Sequence, residues 1–283
     1  MYCSLKEICE ISEKEKKPIY QVILEEDCRE RGVEEADALR QVENIYVAMK
    51  EADEHYKPDL VSKSKLSGKQ GEQFKQYREK QNTLCGDFVC TIIEKAIKMG
   101  ESNACMQRIV AAPTAGACGV VPSVLLSMQQ REQYSQQQMT QALLVCAGIG
   151  GVIGLRSSLS GAAGGCQAEI GSAAAMAAGA AVFLQGGTSS QICHAAAMAL
   201  KNLLGLACDP VGGLVEVPCV KRNVIGAMSA ISAADMALAG ITSKISPDEV
   251  IDAMKEIGDV MPACIKETSQ AGLAMTEIGR KYL

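Results

Sequence analysis

The sequence predicts a mainly α fold: a compact helical domain with Ala- and Gly-rich buried helices, preceded by an N-terminal helical arm. Three observations point there. Of 283 residues, 48% are hydrophobic yet only 4% are aromatic and none is Trp. Bulk therefore comes from Ala, Leu, Ile, Val, Met and Cys, which suits closely packed helices better than a β-sandwich. Apolar residues recur at three- and four-residue spacing, and charge is uneven. Residues 1–101 hold 38 of the 61 Asp, Glu, Lys and Arg while 102–219 hold eight, so a solvated helical start leads into a buried middle.

Residues 1–56 are read as the arm and 57–283 as the main domain. In "EEADALRQVENIYVAMKEADEHYK", Ala38, Val42, Ile45 and Met49 form one apolar stripe. A basic, Ser- and Gly-rich loop follows, "KPDLVSKSKLSGKQGEQ". "GDFVCTIIEKAIKMG" predicts a helix with Asp87 near its start and a stop at Gly100. "VVPSVLLSM" opens a further helix. Between Glu169 and Lys201 there is no charged residue, a run long enough to span a membrane. Yet "IGSAAAMAAGAAVFLQGG" is mostly Ala and Gly, which drive insertion weakly, so a buried helix and no membrane association are expected. "SQICHAAAMALKNLLG" predicts the next helix, stopped by Gly205, and "VKRNVIGAMSAISAADMALAG" another. The tail adds "SPDEVIDAMKEIG", with Pro247 in a first helical turn, and "IKETSQAGLAMTEIGRKYL". No repeat of 20–50 residues suggests a solenoid.

The net charge of −5 and pI near 5.3 argue against nucleic-acid binding. The start, "MYCSLKEICEISEKEKK", lacks the apolar run of a signal peptide, and a cytoplasmic location is expected. Thirteen cysteines are then buried filler, metal ligands or catalysts. No C-x-x-C occurs, which weakens zinc-ribbon, thioredoxin-like and ferredoxin-type readings.

"GIGGVIG" (148–154) misses the G-x-G-x-x-G spacing and follows a helical stretch, so it reads as helix packing or a turn. Two histidines, His55 and His194, are too few for a multi-His metal site or an easy Ser–His–Asp triad. His194 reads as a core or supporting group. Pyridoxal phosphate needs a Schiff-base lysine beside a phosphate loop, and the apolar core offers Lys201 alone; no pyridoxal phosphate is expected. "AAPTAGACGVVP" (111–122) sets Thr114, Gly116 and Gly119 between two prolines, a rigid turn whose N–H groups and hydroxyl suit a small anion. Cys166 follows two glycines in "SGAAGGCQAEIGSA", and a helix starting near Gln167 would point its positive end at that thiol. Cys208 and Cys219 flank a Pro/Gly-punctuated loop. By spacing alone, this trio leaves packing, zinc and other metals open.

The segments "KLSGKQ", "AAPTAGACGVVPSVLL", "GGCQAEIGSAAAMAAGA" and "ACDPVGGLVEVPCVKRN" resemble, in order over about residues 60–240, the signatures of the α chain of iron–sulfur-dependent L-serine dehydratase (L-serine ammonia-lyase). The resemblance implies a helical catalytic domain in which Cys166, Cys208 and Cys219 hold a [4Fe–4S] cluster. It implies conversion of L-serine to pyruvate and ammonia, in amino acid degradation feeding gluconeogenesis. Three protein ligands leave one iron open as a Lewis acid for the substrate hydroxyl. It also implies substrate contacts from Lys65, Ser67 and Gly68, from Thr114 and Ala115, and from Asn223, while Lys221 and Arg222 are equally read as surface or interface charges. Some single-chain members end in a cysteine that caps the open iron; this chain ends "GRKYL". The one-chain members' N-terminal domain, with its Ser- and His-containing loop, is absent here. A β chain is therefore the expected partner and the expected source of a catalytic base, which no residue here is assigned. Related lyases acting on L-threonine or L-cysteine, or a non-catalytic helical protein with a structural metal, are the alternatives.

Overall fold

In a computed structural model, which describes residues 2–80 and 83–283, the chain is mainly α, with twelve helices and no strand among the described residues. Three helices make up the start: α1 (Leu5–Glu15), α2 (Ile19–Arg31) and α3 (Glu35–Glu54). Then come α4 (Gln70–Glu79), α5 (Gly86–Ala104), α6 (Val120–Glu132) and α7 (Gln136–Arg156). A one-turn α8 (Gly161–Gly164) and a π turn (Gln167–Gly171) lead into α9 (Ser172–Leu184), followed by α10 (Ser189–Lys201), α11 (Cys219–Leu238) and α12 (Pro247–Val260).

The uncharged α9 is the axle. It packs against α6, α7, α10 and α11, and Ser172 through Val182 are all buried. Two helices, Gln136–Arg156 and Gln167–Leu184, are long and apolar enough to cross a membrane, and the second is 89% buried inside the protein. Alanine and glycine on α9 let neighbours come close: a Cβ at Gly179 would stand 2.2 Å from Ile149 Cδ1 of α7. "GIGGVIG" lies within α7, where Gly148 meets Ile23 and Gly150 meets Met176. It is helix packing.

The helix starts follow their sequence signals. Ser135 with Gln138, Thr188 with Gln191 and Ser246 with Glu249 each form a reciprocal capping box. Pro247 sits in the first turn of α12. The starting helices share the main core, through Leu5, Ile8, Ile19, Val22, Tyr46 and Met49. α1 is tied to α12 as well, because Asp248 accepts from Ser4 Oγ (2.8 Å) and Leu5 N (2.8 Å).

Three expectations are corrected. α5 does not stop at Gly100 but runs to Ala104, and the glycine is there because α11 crosses it: a Cβ would meet Val220 Cα at 3.1 Å. The end of the Ser/Gly-rich loop, from Gln70, is helical as α4, because Glu101 accepts the N–H groups of Gln70 (2.8 Å) and Gly71 (3.0 Å) at its start. The tail from Ala263 holds three short 3₁₀ turns and no long helix. Its hydrogen bonds run to the Cys208 segment, and that contact dictates its path.

Candidate metal centre

Three segments meet at the N-terminal end of α9. The first carries Cys166. Gln167 is fully buried, its Nε2 donating to Met254 O (3.0 Å) and its Oε1 accepting from Gly205 N (2.8 Å). Its own N–H donates to Leu206 O (3.1 Å). So anchored, the chain enters α9 through a π turn, a form of helix often found at functional sites, and Glu169 lies in that turn. The second segment carries Cys208. Its N–H donates to Ile265 O (2.8 Å) and its carbonyl accepts from Glu267 N (2.8 Å), and Asp209 Oδ2 accepts from Leu273 N (2.8 Å). The tail is thus laid along the cysteine. In the third, Cys219 is the first residue of α11.

The sulfurs of Cys166 and Cys208 and a carboxylate oxygen of Glu169 lie within 4.8 Å of one another. Cys219 stands outside that tight group but feels the charges of Cys166 and Glu169. Cys166, Cys208 and Cys219 are 2%, 3% and 8% exposed. A hydrogen bond with the Cys208 thiol, helped by the Arg222 guanidinium, holds Cys166 below the usual thiol range despite burial. The same contact with Cys166, together with burial, pushes Cys208 far up. Burial pushes Cys219 up to about 12. Glu169 is raised by burial, partly offset by Thr114. Arg222 donates to Ala207 O (2.6 Å) and Asp209 Oδ1 (2.9 Å), and so sits between Cys166 and the Cys208 loop.

Three buried thiols and the Glu169 carboxyl thus stand close together with one guanidinium, that of Arg222, beside Cys166, an excess of potential negative charge that a thiophilic cation relieves. Gly161 leaves room for it, since a Cβ there would stand 3.1 Å from Cys208 Sγ and 2.7 Å from Glu169 Oε2. This donor set fits an iron–sulfur group or another soft metal. Beside it opens a cavity of about 460 Å³ lined by Thr114, Ser157, Ser158, Ser160, Glu169 and Glu267.

The other expected site residues fall into two groups. Thr114 and Ser67 carry buried hydroxyl oxygens without a completed hydrogen bond, although Thr114 is near enough to Glu169 to favour its charged form. Such unsatisfied atoms are uncommon and mark places where a ligand fits. Ala115 and Lys65 are exposed, and Lys65 holds a left-handed backbone, φ +65°. Gly68 is forced by geometry, as a Cβ would stand 2.4 Å from Leu60 O at φ +138°. Asn223 gives its whole amide to backbone: Oδ1 accepts from Gly119 N (2.8 Å), and Nδ2 donates to Gly116 O (2.8 Å) and Cys219 O (2.9 Å). It latches the 114–119 turn to the first turn of α11. In that turn the N–H groups of Ala117, Cys118 and Gly119 are spent inside the protein, so fewer face outward than the sequence suggests. Lys221 binds Gln70 Oε1. Neither histidine lines the cavity: His55 lines another, with Glu51 and Arg108, and His194 accepts from Ser243 N (3.3 Å). Lys201 donates to Ser243 Oγ (3.1 Å).

Sequence reasoning missed Glu169 and Asp209, and it missed Glu101 and Glu216, which grip the Lys65–Ser67 loop from outside. For Glu169 a signal existed, since it is the sole charged residue between Arg156 and Lys201. For the other three no local signal existed.

Residues 14–274 match the family described as serine dehydratase alpha chain. The chain is 43% identical over 281 residues to a probable L-serine dehydratase, alpha chain, of Bacillus subtilis, covering 99% of this chain and 94% of that one. It is 36% identical over 282 residues to the L-serine dehydratase, alpha chain, of Peptoniphilus asaccharolyticus, covering 99% and 97%. With an L-serine dehydratase of Helicobacter pylori it shares 40% identity over 288 residues, 97% of this chain but 62% of that longer one. A match over nearly the whole chain, on top of a thiol-rich centre built from the motif segments themselves, places this protein in the serine dehydratase alpha chain family.

Proposed function

We propose that this chain is the catalytic α chain of an L-serine ammonia-lyase, forming pyruvate and ammonia, and that Cys166, Cys208 and Cys219 together hold a [4Fe–4S] cluster. The observation that carries the reading is the meeting of the Cys166 and Cys208 sulfurs with Glu169, with buried Cys219 near enough to feel the charge of Cys166 and Glu169, in a chain of this family. When bound, the cluster supplies an iron without a protein ligand, a Lewis acid for the substrate hydroxyl.

The chain's own residues do the rest. The unpartnered hydroxyls of Ser67 and Thr114 are free to donate to the substrate carboxylate. Asn223 keeps the Thr114 turn fixed against the Cys219 end of α11. Arg222 balances thiolate charge, and the apolar residues of α9 and its neighbours keep water from the buried side of the site, which strengthens each polar contact. Glu169 lines the cavity with Thr114 and reaches Cys208. Removal of the substrate α-proton is assigned to a base from a β chain. The enamine product hydrolyses in water to pyruvate and ammonia. The reading needs no pyridoxal phosphate; Lys201 is engaged with Ser243. It gives residues 57–283 the catalytic work and residues 1–56 the role of a bracing arm. It places the enzyme in the cytoplasm, where its thirteen cysteines stay reduced.

The test is product analysis of anaerobically purified protein, with and without a candidate β chain. Pyruvate from L-serine, formed at full rate only with the β chain, is expected. Full turnover by the α chain alone contradicts the partner assignment, and 2-oxobutyrate from L-threonine or sulfide from L-cysteine as the main product contradicts the substrate.

A further inference from the structure

The loop bearing Lys65 and Ser67 is held by two buried carboxylates that reach in from elsewhere in the chain. Glu101 of α5, 2% exposed, accepts from Gly68 N (3.1 Å), Gln70 N (2.8 Å), Gly71 N (3.0 Å) and Tyr56 Oη (2.6 Å). It fixes the outgoing end. Glu216, 5% exposed, accepts from Ser62 Oγ (2.6 Å) and Ser64 Oγ (2.8 Å). A carboxylate is acceptor-only, so both serine hydroxyls must point their hydrogens at it. Their lone pairs are left to accept from the loop itself: Ser62 Oγ from Ser67 N (3.2 Å) and Ser64 Oγ from Leu66 N (3.0 Å). Ser62 N in turn donates to Ser67 O (2.9 Å). Two of these bonds, Ser67 N to Ser62 Oγ and Ser62 N to Ser67 O, hold Ser67 itself, whose own hydroxyl is buried and unpartnered.

Glu216 also belongs to the other side of the site. It lies in the loop between Cys208 and Cys219, and its carbonyl accepts from Val220 N (3.0 Å) in the first turn of α11. Through its side chain this residue grips the Ser67 loop, and through its main chain it caps the helix that begins at Cys219. Burying a carboxylate without a cation is costly, and an apolar residue would fill the space more cheaply. What such a residue would not do is fix the direction of two hydroxyls.

We propose that Glu216 is a positioning residue for substrate: acting through Ser62 and Ser64, it sets the unpartnered hydroxyl of Ser67 in register with the Cys219 end of the thiol centre. The proposal rests on the serine dehydratase reading for the identity of the substrate, but not for the state of the loop. A contact that serves ground state and transition state alike changes KM and leaves kcat alone. The Glu216→Gln variant keeps one acceptor oxygen, and Ser64→Ala removes one hydroxyl while leaving the Cys208–Cys219 loop untouched.

The experiment uses the full chain with its β chain, purified anaerobically, and reads serine kinetics, iron per chain, and amide hydrogen exchange over residues 62–71. Each variant is expected to raise KM by about tenfold, the equivalent of one lost charge-assisted hydrogen bond, with kcat nearly unchanged. Iron content stays at the wild-type level, and exchange at Leu66 and Ser67 becomes faster. Wild-type KM and wild-type exchange in both variants overturn the proposal, as does a loss of iron in step with activity. If the wild-type protein does not turn over serine, the functional reading fails by itself, and hydrogen exchange still decides the role of Glu216.

Discussion

Arg222 shows how the centre is balanced. Its guanidinium is shared between the Cys166 thiol and Asp209, and its field also favours the thiolate of Cys219. Cys208, by contrast, is held protonated by Cys166 and by burial. Binding of a cation there would release protons from the thiols that hold it. The cysteines of the centre differ from cysteine filler by this setting and not by burial alone. Cys146 is as buried as Cys166, but its thiol donates to Met176 O (3.4 Å) and burial alone raises it. Replacing Cys219 by Ser substitutes a hard hydroxyl for a soft thiolate. Iron and dehydratase activity are expected to disappear together, whereas Cys146→Ser keeps both; iron analysis and a pyruvate assay on anaerobic protein check this.

At the level of elements, α9 holds the site together by being thin. The approach of α7 to α9 depends on Gly179, and Gly179→Val sets a branched Cβ 2.2 Å from Ile149 Cδ1. Overpacking of this kind costs about 1–3 kcal/mol, so thermal unfolding is expected several degrees lower. What the sequence conveyed at this scale was periodic and local. The α3 stripe, the uncharged α9 and the Ser-Pro-Asp-Glu start of α12 all have their cause within a few residues. Gly100 and the tail did not, because each takes its form from a distant partner, Val220 for the glycine and Cys208 for the tail. The candidate site divides likewise. Its three cysteines and the Ser67 and Thr114 loops stand in recognisable segments, and Glu169 stands out as a lone charge. Glu101 and Glu216 carry no local mark, since Glu216 is 154 residues from the Ser62 hydroxyl it holds.

Across the whole molecule, the start and the end of the chain both support the same centre from opposite sides. The first helices join the core around α7 and α10, and Ser4 and Leu5 are tied to Asp248 of α12, whose Met254 carbonyl holds Gln167 next to Cys166. The tail binds Cys208 and Asp209 directly. Little at the centre is left to local structure alone, which explains how three thiols can be set by segments without any short C-x-x-C loop. The central claim is that this scaffold carries a four-iron cluster on three cysteines. Iron and acid-labile sulfide content of the anaerobically purified chain, read with its visible absorption, tests it most directly. Brown protein with about four irons and four sulfides per chain is expected, whereas colourless or zinc-loaded protein that still dehydrates L-serine rules the cluster out.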